Sequence, residues 1–127
     1  EAARVLGEHG AIYHVHGKDS RPERRYWQPN GMLDTKPIDA FAKRAWNYVA
    51  VGAGHDAKWW KEFFSVVRMS GYDDEISLEM EDLTLSMLDG HLASLHVLRE
   101  ALNIEKGKLC GRFDTDRSGG ISARVRI

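Results

Sequence analysis

"NYVAVGAGHDAKWWKEFFSVVRMSGYDDEISLEMED", residues 47–82, runs from a small apolar stretch through a helical pattern into an alternating one. "NYVAVGAG" is β-branched and compact and ends on Gly52 and Gly54, which reads as a strand. Asp56 is placed to cap a helix in which Trp59, Phe63 and Val67 recur at i, i+4 and i+8. Trp60 and Phe64 lie alongside them, and Gly71 closes the helix. In "DEISLEMED" Ile76, Leu78 and Met80 alternate with Ser77, Glu79 and Glu81, so the two sets face opposite sides of a strand. Strand, helix and strand in succession predict parallel strands joined by a crossover helix.

The flanks extend that pattern. "AIYHVHG", residues 11–17, reads as a further strand. "EAARVLGEHG" before it reads as the last turns of a helix stopped at Gly10, so the beginning, at Glu1, looks cut. Residues 17–37 form a polar loop with Pro22, Pro29, Asn30-Gly31 and Pro37, and "IDAFAKRAW" adds a short helix. After the last strand an amphipathic helix starts near Ser86, with Asp89 completing a capping-box variant. Leu85, Leu88, Leu92, Leu95 and Leu102 recur down one side of it. The expected fold class is α/β with about three parallel strands. So few parallel strands leave their own sheet uncovered, so a larger barrel or sheet is expected around them. Residues 104–127 show no period and read as a mobile tail or a foreign extension.

Composition narrows the function classes. The 127 residues are 43% hydrophobic, enough for one domain or part of a larger one. Lys and Arg number 18 against 19 Asp and Glu, and this balance argues against a nucleic-acid partner. The segment from Ile104 carries a net charge of +3 and the preceding part −4. Cys110 stands alone, which excludes an internal disulfide and fits a reducing, cytoplasmic setting. No apolar run is long enough for a bilayer and no signal peptide opens the chain, so no membrane association is expected.

The polar residues of the strands carry the chemistry. In a closed parallel barrel Ser77, Glu79 and Glu81 would point to the axis, at a cost of several kcal/mol for each unpaired charge. A divalent metal held by carboxylate and imidazole removes that cost; an edge strand with both glutamates in solvent is the alternative. In "HVHGKDSR", residues 14–21, His14 and His16 face one side, and His16 lies nearer the C-terminal end, where such folds place their sites. His16 is the expected metal ligand, and His14 a deeper hydrogen-bonded support or a second ligand. Lys18 and Asp19 follow the strand end, placed to hold a substrate oxyanion or hydroxyl, to pair with each other, or, for Lys18, to stand in solvent. Arg21, Arg24, Arg25, Tyr26 and Trp27 either grip a phosphate or sugar ring or belong to a solvated loop.

"YHVHGKDSR" together with "VGAGHDAKWWKEFFSVVRMSGYDDEISLEMED" resembles the C-terminal half of the sugar phosphate isomerase/epimerase family, the xylose isomerase-like TIM barrels. That family shows an H-x-H-x-K-D strand end, a later G-x-G, and a helix leading to G-Y-D-G-x-[LI]-x-[LIV]-E. Asp74 stands here where the second glycine of the last motif is usual. The resemblance spans residues 1 to about 103 and implies the C-terminal part of a (β/α)8 barrel, which in full takes about 250 residues. It implies a divalent metal (Mn, Co, Mg or Zn) held by Glu, Asp, His and Glu, with His16 and Glu79 matching the last two. Glu79 is then also the catalytic acid/base, with His14 and Glu81 as supports, and Lys18 and Asp19 touch the substrate. The other two ligands belong to earlier strands that this sequence lacks, so the isolated chain is expected to be inactive.

The implied reaction is isomerisation or epimerisation of a sugar or sugar phosphate by proton transfer next to a carbonyl. Dehydratases acting on inososes and lyases acting on oxidised glycosides start the same way. A metal-dependent phosphodiesterase of the endonuclease IV type fits "HGKDSR" loosely, but the acidic body argues against DNA. A non-catalytic half-barrel is the third reading, with Trp59, Trp60 and the leucine row facing a partner, either a homo-oligomer or the missing N-terminal half. "FDTDRSGGIS", residues 113–122, resembles the start of a calcium loop, but Val125 stands where the closing Glu belongs.

Overall fold

A computed structural model of the chain describes residues 1–103, the backbone of 112–115 and 121–126, and the side chain of Val125. The helix α1, Ala2–Glu8, ends at Gly10, whose φ of 60° is the left-handed stop expected there. Strand β1, Val15–Gly17, leads through Lys18 into β2, Asp19–Pro22, and a short helix α2, Arg24–Asn30. A 3₁₀ turn over Ile38–Lys43 precedes β3, Trp46–Val49. Helix α3, Ala57–Met69, β4, Glu75–Leu78, and α4, Met87–Leu102, complete the central part. Strands β5, Arg112–Thr115, and β6, Ile121–Arg126, follow.

The chain is α/β. Strands β1 and β4 pair in parallel, with Val15 opposite Ile76, His16 opposite Ser77 and Gly17 opposite Leu78. Helix α3 connects β3 to β4. Its first turn is closed by the Asp56 carboxylate, which accepts the Trp59 N–H at 2.9 Å. Trp60, Phe64 and Val67 form its buried stripe, whereas Trp59 is 41% exposed at the edge. Ile76, Leu78 and Met80 are buried on the helix side of β4, as the alternation predicts. Burial of each such side chain contributes about 1.5–3 kcal/mol, and this layer of β1 and β4 against α3 and α4 holds the fold.

Four sequence expectations are corrected. Only two of the three predicted strands are parallel: β3 pairs antiparallel with β2, Asp19 opposite Val49, in a separate ribbon. The place beside β1 is taken by β4, and β1 runs almost directly into β2, which pairs with β3. The polar segment 17–37 accordingly contains β2 and α2 rather than loop alone. The leucine row supplies only part of the buried face of α4, through Leu95 and Leu102. Leu85, Leu88 and Leu92 are 42%, 53% and 50% exposed, and the inner face is His91, Ser94, Leu95, Leu98 and Leu102. Two small residues set that rotation. Gly90 lets the helix touch Met80, where a Cβ would collide with the thioether, and the Ser94 hydroxyl accepts the Val51 N–H at 3.0 Å. Finally, residues 104–127, read as a tail, contribute two strands. Strand β6 lies antiparallel on β4, with Val125 buried opposite Ile76. Asp116, Ser118 and Gly119 of the calcium-loop likeness lie outside the described residues.

Candidate functional site

The parallel register of β1 and β4 decides what meets on their polar face. With His16 opposite Ser77, each side chain of β1 on that face reaches the residue of β4 at or just beyond its own level. His14 Nε2 lies 2.8 Å from Ser77 Oγ, and His16 Nδ1 lies 3.2 Å from Glu79 Oε2. Lys18 Nζ donates to Glu79 Oε1 at 2.7 Å and to Glu81 Oε1 at 2.9 Å. The two imidazoles touch edge to face at 5.1 Å. A ladder of three rungs results, with its charged end at the C-terminal ends of the strands.

Lys18 is the cation paired with both glutamates, whose side chains are 41% and 37% exposed. Its ammonium also lies 4.1 Å from the centre of the Tyr48 ring, which walls the ladder on one side. Hydrogen bonds from Lys18 first, then His16, hold the Glu79 carboxyl below its usual range. Burial opposes the charge on Lys18, yet its bonds to Glu79 and Glu81 outweigh this and raise its pKa. Glu79 is therefore an ionised acceptor with one oxygen on an ammonium and the other on an imidazole.

Of the residues named from sequence, His14, His16, Lys18, Glu79 and Glu81 are brought together. Asp19 is not. Its side chain turns away from the ladder and is wholly buried, so it does not stand at the mouth to meet a substrate. One carboxylate oxygen accepts the N–H groups of Gly52, Gly54 and His55 at 3.0, 3.1 and 3.0 Å. The other accepts the Ser20 N–H at 2.8 Å and stands 2.7 Å from His55 Nδ1. Burial pushes against its ionisation, but the bonds from the His55 ring and the backbone donors overcome it and lower its pKa. Adjacent residues in "KD" thus serve opposite sides, because successive side chains of an extended chain point apart.

Sequence reasoning missed His55, Tyr48 and Asp82. His55 stacks at 4.2 Å on Trp59 and is positioned by Asp19. Its signal was the G-x-G-H-D run, whose turn presents three N–H groups to one carboxylate. Asp82 is buried beyond β4 and accepts the Ala50 N–H at 3.1 Å and the Thr84 hydroxyl at 2.6 Å. It ties the end of β4 to the segment after β3.

An imidazole and a carboxylate on adjoining strand ends suit a divalent transition metal as two of its ligands. Among the described residues no group of three or more His, Cys, Asp or Glu side chains could hold a metal. Among the described residues, too, no helix is long and apolar enough to cross a membrane.

These features define an α/β segment with a His–Glu–Lys ladder at the ends of two parallel strands. The chain is 57% identical over 102 residues to the uncharacterized protein YfiH of Bacillus subtilis (strain 168). The match covers 80% of this chain and 32% of that protein, so the chain spans about a third of its relative's length. No protein-family model and no solved structure matches the chain.

Proposed function

We propose that this chain forms one side of a proton-transfer site in a sugar or sugar-phosphate isomerase or epimerase, as the C-terminal part of a (β/α)8 barrel. The observation that carries the reading is the pair His16–Glu79, 3.2 Å apart on adjoining parallel strands with Lys18 on the second oxygen. His16 and Glu79 would supply two ligands to a divalent metal, and the resemblance draws the other two from strands outside this sequence. When bound, such a metal would polarise the carbonyl of the substrate.

Glu79 is the acid/base. Its carboxylate would take a proton from the carbon beside the carbonyl. For epimerisation the resemblance assigns reprotonation of the opposite face to a second glutamate on a strand outside this sequence, and for isomerisation the proton goes to the neighbouring carbon. Bound to Lys18 it is a weak base. A substrate whose oxygens draw the Lys18 ammonium away frees one Glu79 oxygen and restores its basicity. Lys18 thereby couples binding to proton abstraction. His14 steadies His16, and Glu81 keeps a second anchor for Lys18. A reducing cytoplasmic location with a small-molecule substrate belongs to the same reading.

Manganese titration of the 127-residue chain tests it. Weak binding is expected, reduced more than about tenfold by His16→Ala and by Glu79→Gln alike. Binding that ignores both substitutions refutes the site. With a complete barrel carrying this segment, deuterium from solvent should enter a ketose beside its carbonyl, and Glu79→Gln should abolish the exchange.

The exposed Leu85, Met87, Leu88 and Leu92 favour a second reading, in which the chain serves as an assembly piece. Trp60 plays no part in that surface because it is 3% exposed in the chain's own core. A monomer by sedimentation at high concentration refutes self-assembly through this row.

A further inference from the structure

Arg44 lies between the 3₁₀ turn and β3 and is 5% exposed. Its guanidinium stands 4.4 Å from the Trp46 ring and 6.0 Å from the Tyr48 ring. Among the described residues it has no carboxylate partner, and its Nε is buried without a hydrogen bond. Two carboxylates on neighbouring segments, Asp34 and Glu23, are engaged elsewhere. Asp34 is held by Lys36 at 2.9 Å and by the Ala45 N–H at 2.7 Å. Glu23 is held by Arg21 at 2.8 Å and by the Asn47 amide at 3.1 Å. Lys18, Arg21 and Lys36 thus each have an acid, and Arg44 does not.

A guanidinium on a side chain this buried, with its Nε unbonded, is costly, and two aromatic faces recover only part of its lost hydration. Such a group has a fixed fork of donors suited to two oxygens of one anion. We propose that Arg44 is the anion-binding residue of a subsite for a phosphate ester or carboxylate carried by the substrate. Lys18 and Arg44 address the same Tyr48 ring, at 4.1 and 6.0 Å from its centre. Their separation therefore cannot exceed those two distances together, a span comparable to the length of an acidic monosaccharide. Arg21, Tyr48 and Glu81 also line a small cleft beside β3, which brings Glu81 of the ladder and the shared Tyr48 ring to one surface. The assignment of the anion to a sugar rests on the proton-transfer reading above; the binding of an oxyanion at Arg44 does not.

The test is thermal unfolding and calorimetric titration of the 127-residue chain with inorganic phosphate and, separately, with acetate. Phosphate should raise the unfolding midpoint, and Arg44→Gln should weaken its binding about ten- to a hundredfold. Arg44→Lys should retain part of the affinity. Arg44→Met, which removes the unpaired charge and keeps the length, should unfold no earlier than the parent chain without phosphate while losing the phosphate response. Binding of phosphate alone assigns a phosphorylated ligand, and binding of acetate as well assigns carboxylates too. The proposal is overturned if neither anion binds, or if Arg44→Gln and Arg44→Lys bind phosphate as the parent does. Should Arg44→Gln fail to fold, the parent and Arg44→Lys titrations decide. Manganese binding at His16 and Glu79 is read independently, so failure of one leaves the other standing.

Discussion

Asp19 is the residue whose removal should be felt most. Its buried carboxylate satisfies four backbone N–H groups, from Ser20, Gly52, Gly54 and His55, and one imidazole nitrogen. Asp19→Ala leaves the three donors of residues 52–55 facing a void too small for the chain to refill. Each buried donor without a partner costs about 1–3 kcal/mol, and partial entry of water brings the sum to about 3–5 kcal/mol. That is a large fraction of the roughly 5–15 kcal/mol by which a domain is stable. Asp19→Asn keeps one acceptor oxygen but turns an N–H₂ against donors, so about 2–3 kcal/mol is expected. The pH dependence has a definite sign. The folded-state pKa of Asp19 lies below its ordinary 3.8, so its contribution is complete above that value and is lost as pH falls through the lower one. Urea unfolding followed by circular dichroism at pH 7 and at pH 2.5 reads both effects. The parent and Asp19→Asn curves should stand well apart at pH 7 and converge in acid. Equal stabilities at pH 7, or a gap that persists unchanged in acid, would refute the account of Asp19 as an ionised strut.

Other consequences are quicker to state. Lys18→Met removes the main group holding Glu79 ionised and leaves Glu79 beside Glu81, so the Glu79 carboxyl should titrate at higher pH, as followed by carbon-13 NMR. Phe64→Ala opens a cavity at a side chain 1% exposed and should cost about 3–5 kcal/mol in the same urea assay. Ser86→Ala loses the hydroxyl that accepts the Asp89 N–H at 3.1 Å and should destabilise the chain by about 1 kcal/mol. Leu88→Lys with Leu92→Lys alters only exposed positions, so stability should change by less than about 0.5 kcal/mol while any self-association seen by sedimentation is lost.

Much of the architecture was legible because its signals are local. The cap at Asp56, the stop at Gly71, the cap at Ser86 and the alternation through Ile76, Ser77, Leu78 and Glu79 each depend on neighbours along the chain. Period and capping therefore located α3, α4 and β4, and alternation placed Glu79 and Glu81 on one face of their strand and His14 and His16 on one face of theirs. The helix ending at Gly10 was readable for the same reason.

The pairing of these elements was not local, and only the tertiary structure decided it. Nothing in "NYVAVGAG" says whether it lies beside "HVH" or folds back on residues 19–22; the hydrogen bonds from residues 52–55 to Asp19 hold it in the second place. Periodicity showed that α4 has an apolar side, but the contact of Gly90 with Met80 and the bond from Val51 to Ser94 chose which arc is buried. The sequence by itself determined which side chains share a strand face. The three-dimensional register then determined that His16 meets Glu79, that Lys18 neutralises two glutamates, and that Asp19 turns inward and leaves Lys18 alone at the strand end. The physical reason is that a strand fixes direction every second residue, whereas partners lie across a sheet and are chosen by packing.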